Sequence, residues 1–312
     1  MSVSFYADGV ETDGNLRRIE DAARLLGLTC SISVDGRLIA VENSPGARGI
    51  YGRKPLRGDA TIVVGNERRG ISRKLLASAD ETVVIPTQSR TVTTLNVAAA
   101  AAVAGWFLLR GSRPQATATR PEHRRPALLL VGDDHVEVGS SLRSAAAFGF
   151  RDVLLEDRGA GWFSGTSGLR REARAAARRH KNPLRVHPAT LAESAARYDD
   201  IVLVTASDAG QPLSRERLTR GVRQLVVLGA NAAELPPTAS GRVTVASLGL
   251  QPAESEPLRL SASIALAEIA RQVGLRRPVP GAPPRAPRYE KAIEPVPGPD
   301  ALLIEPADLL AF

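Results

Sequence analysis

Short aliphatic runs alternate with helical stretches along this chain, and the alternation occurs twice. In the first half "VSFYADGV", "CSISV", "TIVVG" and "ETVVIP" read as strands, separated by the helical segments "NLRRIEDAARLLG", "SRKLLASA" and "NVAAAAAVAGWFLLR". Consecutive strands linked through helices pair in parallel, because only a crossover of that length returns the chain to the same edge. In the first helix Ile19, Ala22, Ala23 and Leu26 recur at helical spacing and mark the face that seeks a core. Ser72 is placed to cap the short second helix. The second half repeats the plan with strands "PALLLVGD", "DVLLE", "DIVLVTA", "QLVVLGA" and "RVTVASL" and helices "GSSLRSAAAFG", "REARAAARRH" and "LSASIALAEIARQVG". The halves read as a diverged internal duplication, so the expected class is α/β, with two tandem units that each carry a mostly parallel sheet flanked by helices.

Two breaks in composition set the boundaries. "RGSRPQATATRPEHRRP", Arg110 to Pro126, is rich in Arg, Pro, Ser and Thr without an apolar period and reads as a linker. From Arg276 the chain is Pro-rich and expected to be extended or disordered. The expected division is 1–110, a linker at 111–126, a second domain at 127–275 and a tail at 276–312. Aromatic residues are only 4% of the chain, so both cores must be built from Ala, Leu, Val and Ile. The net charge of +8 suits a polyanionic partner, although an Arg-rich coding bias produces the same surplus. The lone cysteine, Cys30, excludes an internal disulfide and is expected in the core; His123, His135, His180 and His187 form no metal-ligand pattern. The opening "MSVSFYADG" has no signal-peptide pattern, and the longest apolar run, Val97 to Leu109, is too short to span a bilayer. The expectation is a cytoplasmic protein with no membrane and no metal.

In open α/β sheets ligands bind beyond the carboxyl ends of the strands. Three loops there are unusually polar: "ETDGN", "VGNERRG" and "IPTQSRTVTTLN". Gly65 permits close approach of backbone to a ligand, and Asn66 and Glu67 place polar groups at the mouth.

These residues resemble a family. "DGVETDGNLRRIEDAARLLG", "VVGNERRGIS" and "VVIPTQSRTVTTLNVAAAAAVA" are similar, in order, to the three signature motifs of the SpoU/TrmH class of SPOUT RNA methyltransferases. The resemblance implies a trefoil-knotted sheet, bent S-adenosylmethionine in the knot loops, and methyl transfer to a ribose 2′-hydroxyl of tRNA or rRNA. It also implies roles for particular residues. Val64, Gly65 and Asn66 of one loop, Ile85 and Pro86 of the next, and Thr94 and Leu95 before the last helix would hold the donor. Asn15, Glu67 and Asn96 would line the acceptor side, Glu67 ordering the loop or the acceptor and not taking the proton. Thr94 stands where the family more usually has Ser, and the loop from Pro86 to Leu95 is slightly longer than usual.

The first motif departs from the family: Asn15 is present, but the position of its Arg holds Asp21. The second half has the reverse pattern. In "EVGSSLRSAAAFGF" Arg143 occupies the Arg position and Glu137 replaces the Asn, while Gly229 is kept without its Asn-Glu pair and Arg259 stands where the last motif has Asn. Family members work as dimers with sites between protomers. The resemblance therefore implies an intramolecular pseudo-dimer with one composite site, the donor loops coming from the first half and Arg143 from the second. Arg143 would clamp the phosphate next to the reacting ribose and stabilise developing oxyanion charge, since a guanidinium does not serve as a base. The basic segment Arg171 to Lys181 would offer an RNA contact or a solvated face. Other readings stay open: a SPOUT-fold methyltransferase of a small molecule, or a catalytically inactive RNA-binding protein. Further dimerisation of the fused chain is not decided by the sequence.

Overall fold

The computed structural model describes residues 2–66, 68–89, 92, 94–161, 184–235, 241–252 and 257–276. In the first half β1 (Val3–Asp8), β2 (Thr29–Cys30), β3 (Arg37–Val41), β4 (Arg48–Gly49), β5 (Ala60–Gly65) and β6 (Glu81–Val84) form one sheet, with α1 (Asp13–Leu26), α2 (Arg73–Ser78) and α3 (Val97–Arg110) between or after them. A short strand, β7 (Thr117–Ala118), follows. The second half holds β8 (Ala127–Val131), α4 (His135–Ala147), β9 (Asp152–Glu156), β10 (Arg185–Pro188), α5 (Leu191–Ala195), β11 (Asp200–Thr205), β12 (Gln211–Pro212), β13 (Gln224–Leu228), β14 (Arg242–Ser247), α6 (Leu258–Val273) and β15 (Leu275–Arg276).

The sheets have orders β2-β1-β5-β3-β6-β4 and β10-β9-β8-β13-β11-β14-β12, and their paired strands run parallel. With β8 matched to β1, β9 to β2, β11 to β3, β12 to β4, β13 to β5 and β14 to β6, the orders coincide. The second sheet adds only β10 at its edge. The α/β class with two helix-flanked parallel sheets is thus borne out, and the repeated strand order matches the repeat seen in the sequence.

The two halves share one core. Phe5, Ile62 and Phe107 of the first belong to the same continuous cluster as Leu130, Phe148, Val226 and Ile264 of the second. The centre of that cluster is α3, whose Ala-rich sequence is apolar on every side; such a helix must be buried all round, and residues Val97–Ala99 and Ala101–Leu108 are. It packs on α1 in its own half and on α6 in the other, while α6 packs on α4 as α3 does on α1. Small side chains let these helices approach closely. The Trp106 Nε1 donates across the junction to Leu248 O (2.9 Å), and the Tyr51 hydroxyl to Ala267 O (3.1 Å).

The junction is also reciprocal. Gln88 N donates to Ala147 O (2.8 Å), and Gln251 N donates to Leu25 O (2.7 Å). Ala147 and Leu25 occupy the same place in α4 and α1, counted from His135 and Asp13. Contacts in which each half offers the other the same surface are the mark of a twofold interface. Arg125 reinforces one side by donating to Phe148 O (3.2 Å) and to the Gln88 side chain; burial pulls its guanidinium down to about 10, still charged at neutral pH.

Several expectations are corrected. Cys30 is exposed, because β2 is a two-residue strand at the sheet edge and neither residue faces the core. "CSISV" contributes only Cys30 to a strand, and β3 lies instead at "RLIAV". Ser72 precedes α2 but makes no side-chain cap; its N–H is held by Asp8 Oδ2 (2.6 Å). Leu26 is only half-buried on α1, and Leu25 takes its place in the core. The stretch 111–126 includes β7, which pairs with β15, and Arg271 donates to the carbonyls of Arg113 and Pro114 (3.5 and 3.4 Å). The basic segment Arg171 to Lys181 with His180, and the tail beyond Arg276, lie outside the described residues.

Candidate functional site

The polar loop after β5 is held by its own residues. Asn66 and Gly70 exchange backbone hydrogen bonds (3.0 and 2.9 Å), and Asn66 Oδ1 accepts from the N–H groups of Arg68 and Arg69 (2.9 and 3.0 Å). Asn66 Nδ2 donates to Gly9 O (2.7 Å), tying the loop to the end of β1. Glu42, just past β3, accepts from Ile71 N (2.9 Å), and Arg69 pairs with Glu11. Asn66 is buried and serves the loop's shape; Gly65 is half-buried. Val64 points into the shared core.

The second loop leaves β6 through Ile85 and Pro86, both half-buried, and re-enters at Leu95. Ile85 and Leu95 pack their inner sides on the core and keep part of their surface open. Because β5, β3 and β6 are parallel neighbours, both loops emerge at one end of the sheet. Asn96 then caps α3, its Oδ1 accepting from Ala98 N (3.0 Å), and its Nδ2 donates to Asn15 Oδ1 on α1 (3.2 Å). One amide pair thus joins the first and third motifs. Backbone groups at Gly65 beside the open apolar faces of Ile85, Pro86 and Leu95 suit a nucleoside, which needs edge hydrogen bonds and an apolar face; the residues fit S-adenosylmethionine. Glu67 lies outside the described residues.

Arg143, on α4 of the second half, reaches this loop. Its Nη2 donates to Thr94 Oγ1 (3.1 Å) and its Nε to Thr94 O (3.4 Å). Thr94 is exposed and Arg143 half-buried, so a permanent cation stands over the solvent side of the loop next to the Asn15–Asn96 pair. Asp21, which occupies in α1 the place of Arg143 in α4, pairs locally with Arg24 (2.7 Å).

The corresponding positions of the second half are filled differently. Glu137 and Arg259, the counterparts of the two asparagines, form an ion pair (2.9 Å) in place of an amide pair. Burial pulls the Arg259 guanidinium below its ordinary value, and the Glu137 charge opposes that pull. The carbonyl of Gly229, the counterpart of Gly65, accepts from Arg158 Nη2 (3.0 Å), which also pairs with Glu234 (2.8 Å). Arg158 holds a left-handed φ of 49°, uncommon for a residue with a side chain. Arg18, three residues before Asp21 on α1, joins Glu137 from the first half (3.0 Å), a contact no local pattern marks.

Among the described residues no three His, Cys, Asp or Glu side chains gather as a metal site requires, and no helix is long and apolar enough to cross a membrane. Residues 14–106 match the model of the SpoU rRNA Methylase family. The match runs from the start of α1 into α3 and so includes the loops after β5 and β6. No curated protein matches the chain.

Proposed function

We propose that the chain, whose residues 14–106 match the SpoU rRNA Methylase family model, methylates a ribose 2′-hydroxyl of tRNA or rRNA at one composite site between its halves. The observation that carries this reading is the seat of Arg143 on Thr94, a second-half cation on a first-half loop. S-Adenosylmethionine, when bound, supplies an electrophilic methyl group. Gly65, Ile85, Pro86 and Leu95 would hold its nucleoside, with Val64 and Asn66 fixing the loop around it and Thr94 at its rim. The reading includes a trefoil knot formed by the loops that follow β5 and β6.

A neutral hydroxyl displaces a leaving sulfide slowly unless it is aligned and its developing charge is met. Arg143 donates through a rigid fork suited to a phosphate oxygen, so it would fix the acceptor backbone and stabilise negative charge on the attacking oxygen. Asn15 and Asn96, already hydrogen-bonded to each other, would orient the ribose, and Glu67 would order the loop facing it. The net charge of +8 supports a polyanionic acceptor.

One donor site per chain belongs to this reading. The Gly229 carbonyl, counterpart of the donor-loop Gly65, already accepts from Arg158, and an ion pair stands where the first half has its amide pair; both departures support a single donor site. Titration with S-adenosylhomocysteine should give one site per chain. Incubation of total RNA with methyl-labelled donor should place label on a ribose, read as resistance of one linkage to alkali. Label on a base would change the reaction class, and label on a small molecule would replace RNA as substrate. No label anywhere would leave an RNA-binding protein without transfer.

A further inference from the structure

Glu137 meets two arginines, Arg259 of its own half and Arg18 from the other. Its Oε1 accepts from Arg18 Nε on α1 (3.0 Å) and from Arg259 Nε on α6 (2.9 Å), and its Oε2 accepts from Arg259 N (3.1 Å). The side chains are 27% exposed for Arg18, 13% for Glu137 and 4% for Arg259. A cluster this dry adds little net stability, because its desolvation offsets its attraction, yet removing one member leaves an uncompensated charge. Its contribution is therefore geometric: it fixes where the first turn of α4 sits against α1.

That turn lies roughly 9 Å along the helix axis from Arg143. The other end of α4 is also tied across the junction, through Gln88 N and Ser89 N to Ala147 O (2.8 and 3.1 Å). Arg143 stands between the two ties. The tie at Ala147 has a counterpart on α1, where Gln251 N meets Leu25 O. The ionic tie has none, because the counterparts of Glu137 and Arg18 are Asn15 and Ser140, which carry no charge. The extra tie thus holds the first turn of α4, the helix with Arg143 at the first-motif position where α1 has Asp21.

We propose that Arg18 and Glu137 form a positioning clamp that holds α4 so that Arg143 meets the Thr94 loop, a proposal that rests on the composite-site reading. Neither residue touches the reacting atoms; both act through Arg143. Arg18→Gln is the informative variant, since it cuts the link between halves while Glu137 and Arg259 stay paired and the core is untouched. In the full-length chain it should leave S-adenosylhomocysteine affinity within about twofold and lower the single-turnover methyl-transfer rate about tenfold at saturating RNA, with Arg18→Lys recovering most of the loss. In an Arg143→Ala background, Arg18→Gln should cause no further loss. A wild-type rate for Arg18→Gln, or losses that multiply in the double variant, would overturn the clamp. A second readout does not depend on activity: in a Cys30→Ser chain carrying Thr94→Cys and Arg143→Cys, a short bis-maleimide should bridge the two thiols, and Arg18→Gln should slow the bridging several-fold. Unchanged bridging overturns the clamp even in a chain that transfers no methyl group, whereas slowed bridging in such a chain leaves the clamp standing and removes only the methyltransferase reading.

Discussion

A methyl group added at Gly65 would lie 2.2 Å from the Gly70 carbonyl carbon and 2.3 Å from the Ile71 nitrogen. Backbone cannot move aside as a flexible side chain does, so glycine is required here by the loop's own return path. The sequence suggests the residue for another reason, close approach to a ligand, and both demands fall on one position. Gly65→Ala should therefore displace the loop and weaken S-adenosylhomocysteine binding more than tenfold, with near-native far-ultraviolet dichroism; calorimetric titration reads it. The Asn15–Asn96 contact and the approach of Arg143 to the Thr94 loop were legible because these residues sit in motifs with fixed spacing. The Glu137–Arg259 pair was legible only as two separate losses. That they compensate each other depends on a contact spanning 122 residues, which no local pattern carries. The contact of Arg18 with Glu137 was unreadable for the same reason.

At the scale of elements, strong periodicity was readable and weak edges were not. The α3 helix announces itself by an apolar run too long for a strand, free of Pro and with only Gly105 inside it. By contrast β3, which lies between β5 and β6, is five residues long and follows a turn-rich stretch, while the more β-like "CSISV" pairs only through Cys30, with Thr29 before it. The junction of α3 with the second half could not be read from either half alone. Its buried Trp106–Leu248 hydrogen bond gives a direct measure: Trp106→Phe leaves a carbonyl unpaired and a small void, and should cost about 2 kcal/mol in denaturant unfolding. A change near zero would mean that the helix junction is loosely packed.

At the scale of the whole molecule, the repeated strand order and the reciprocal Gln88–Ala147 and Gln251–Leu25 contacts describe two similar halves held as one body. The shared core predicts cooperative unfolding. Calorimetry should record one transition whose van't Hoff and calorimetric enthalpies agree, while two separated transitions would indicate independent halves. The positive surplus predicts RNA binding that weakens steeply with salt, whereas donor binding should change little. In the proposed composite site that symmetry is given up: one half would supply the donor loops and the other the cation, Arg143. The most direct measurement compares Arg143→Ala with the wild-type chain for S-adenosylhomocysteine affinity and for methyl transfer to RNA. The composite site predicts unchanged affinity and a transfer rate lower by about 10²-fold. Transfer at the wild-type rate by Arg143→Ala would contradict it.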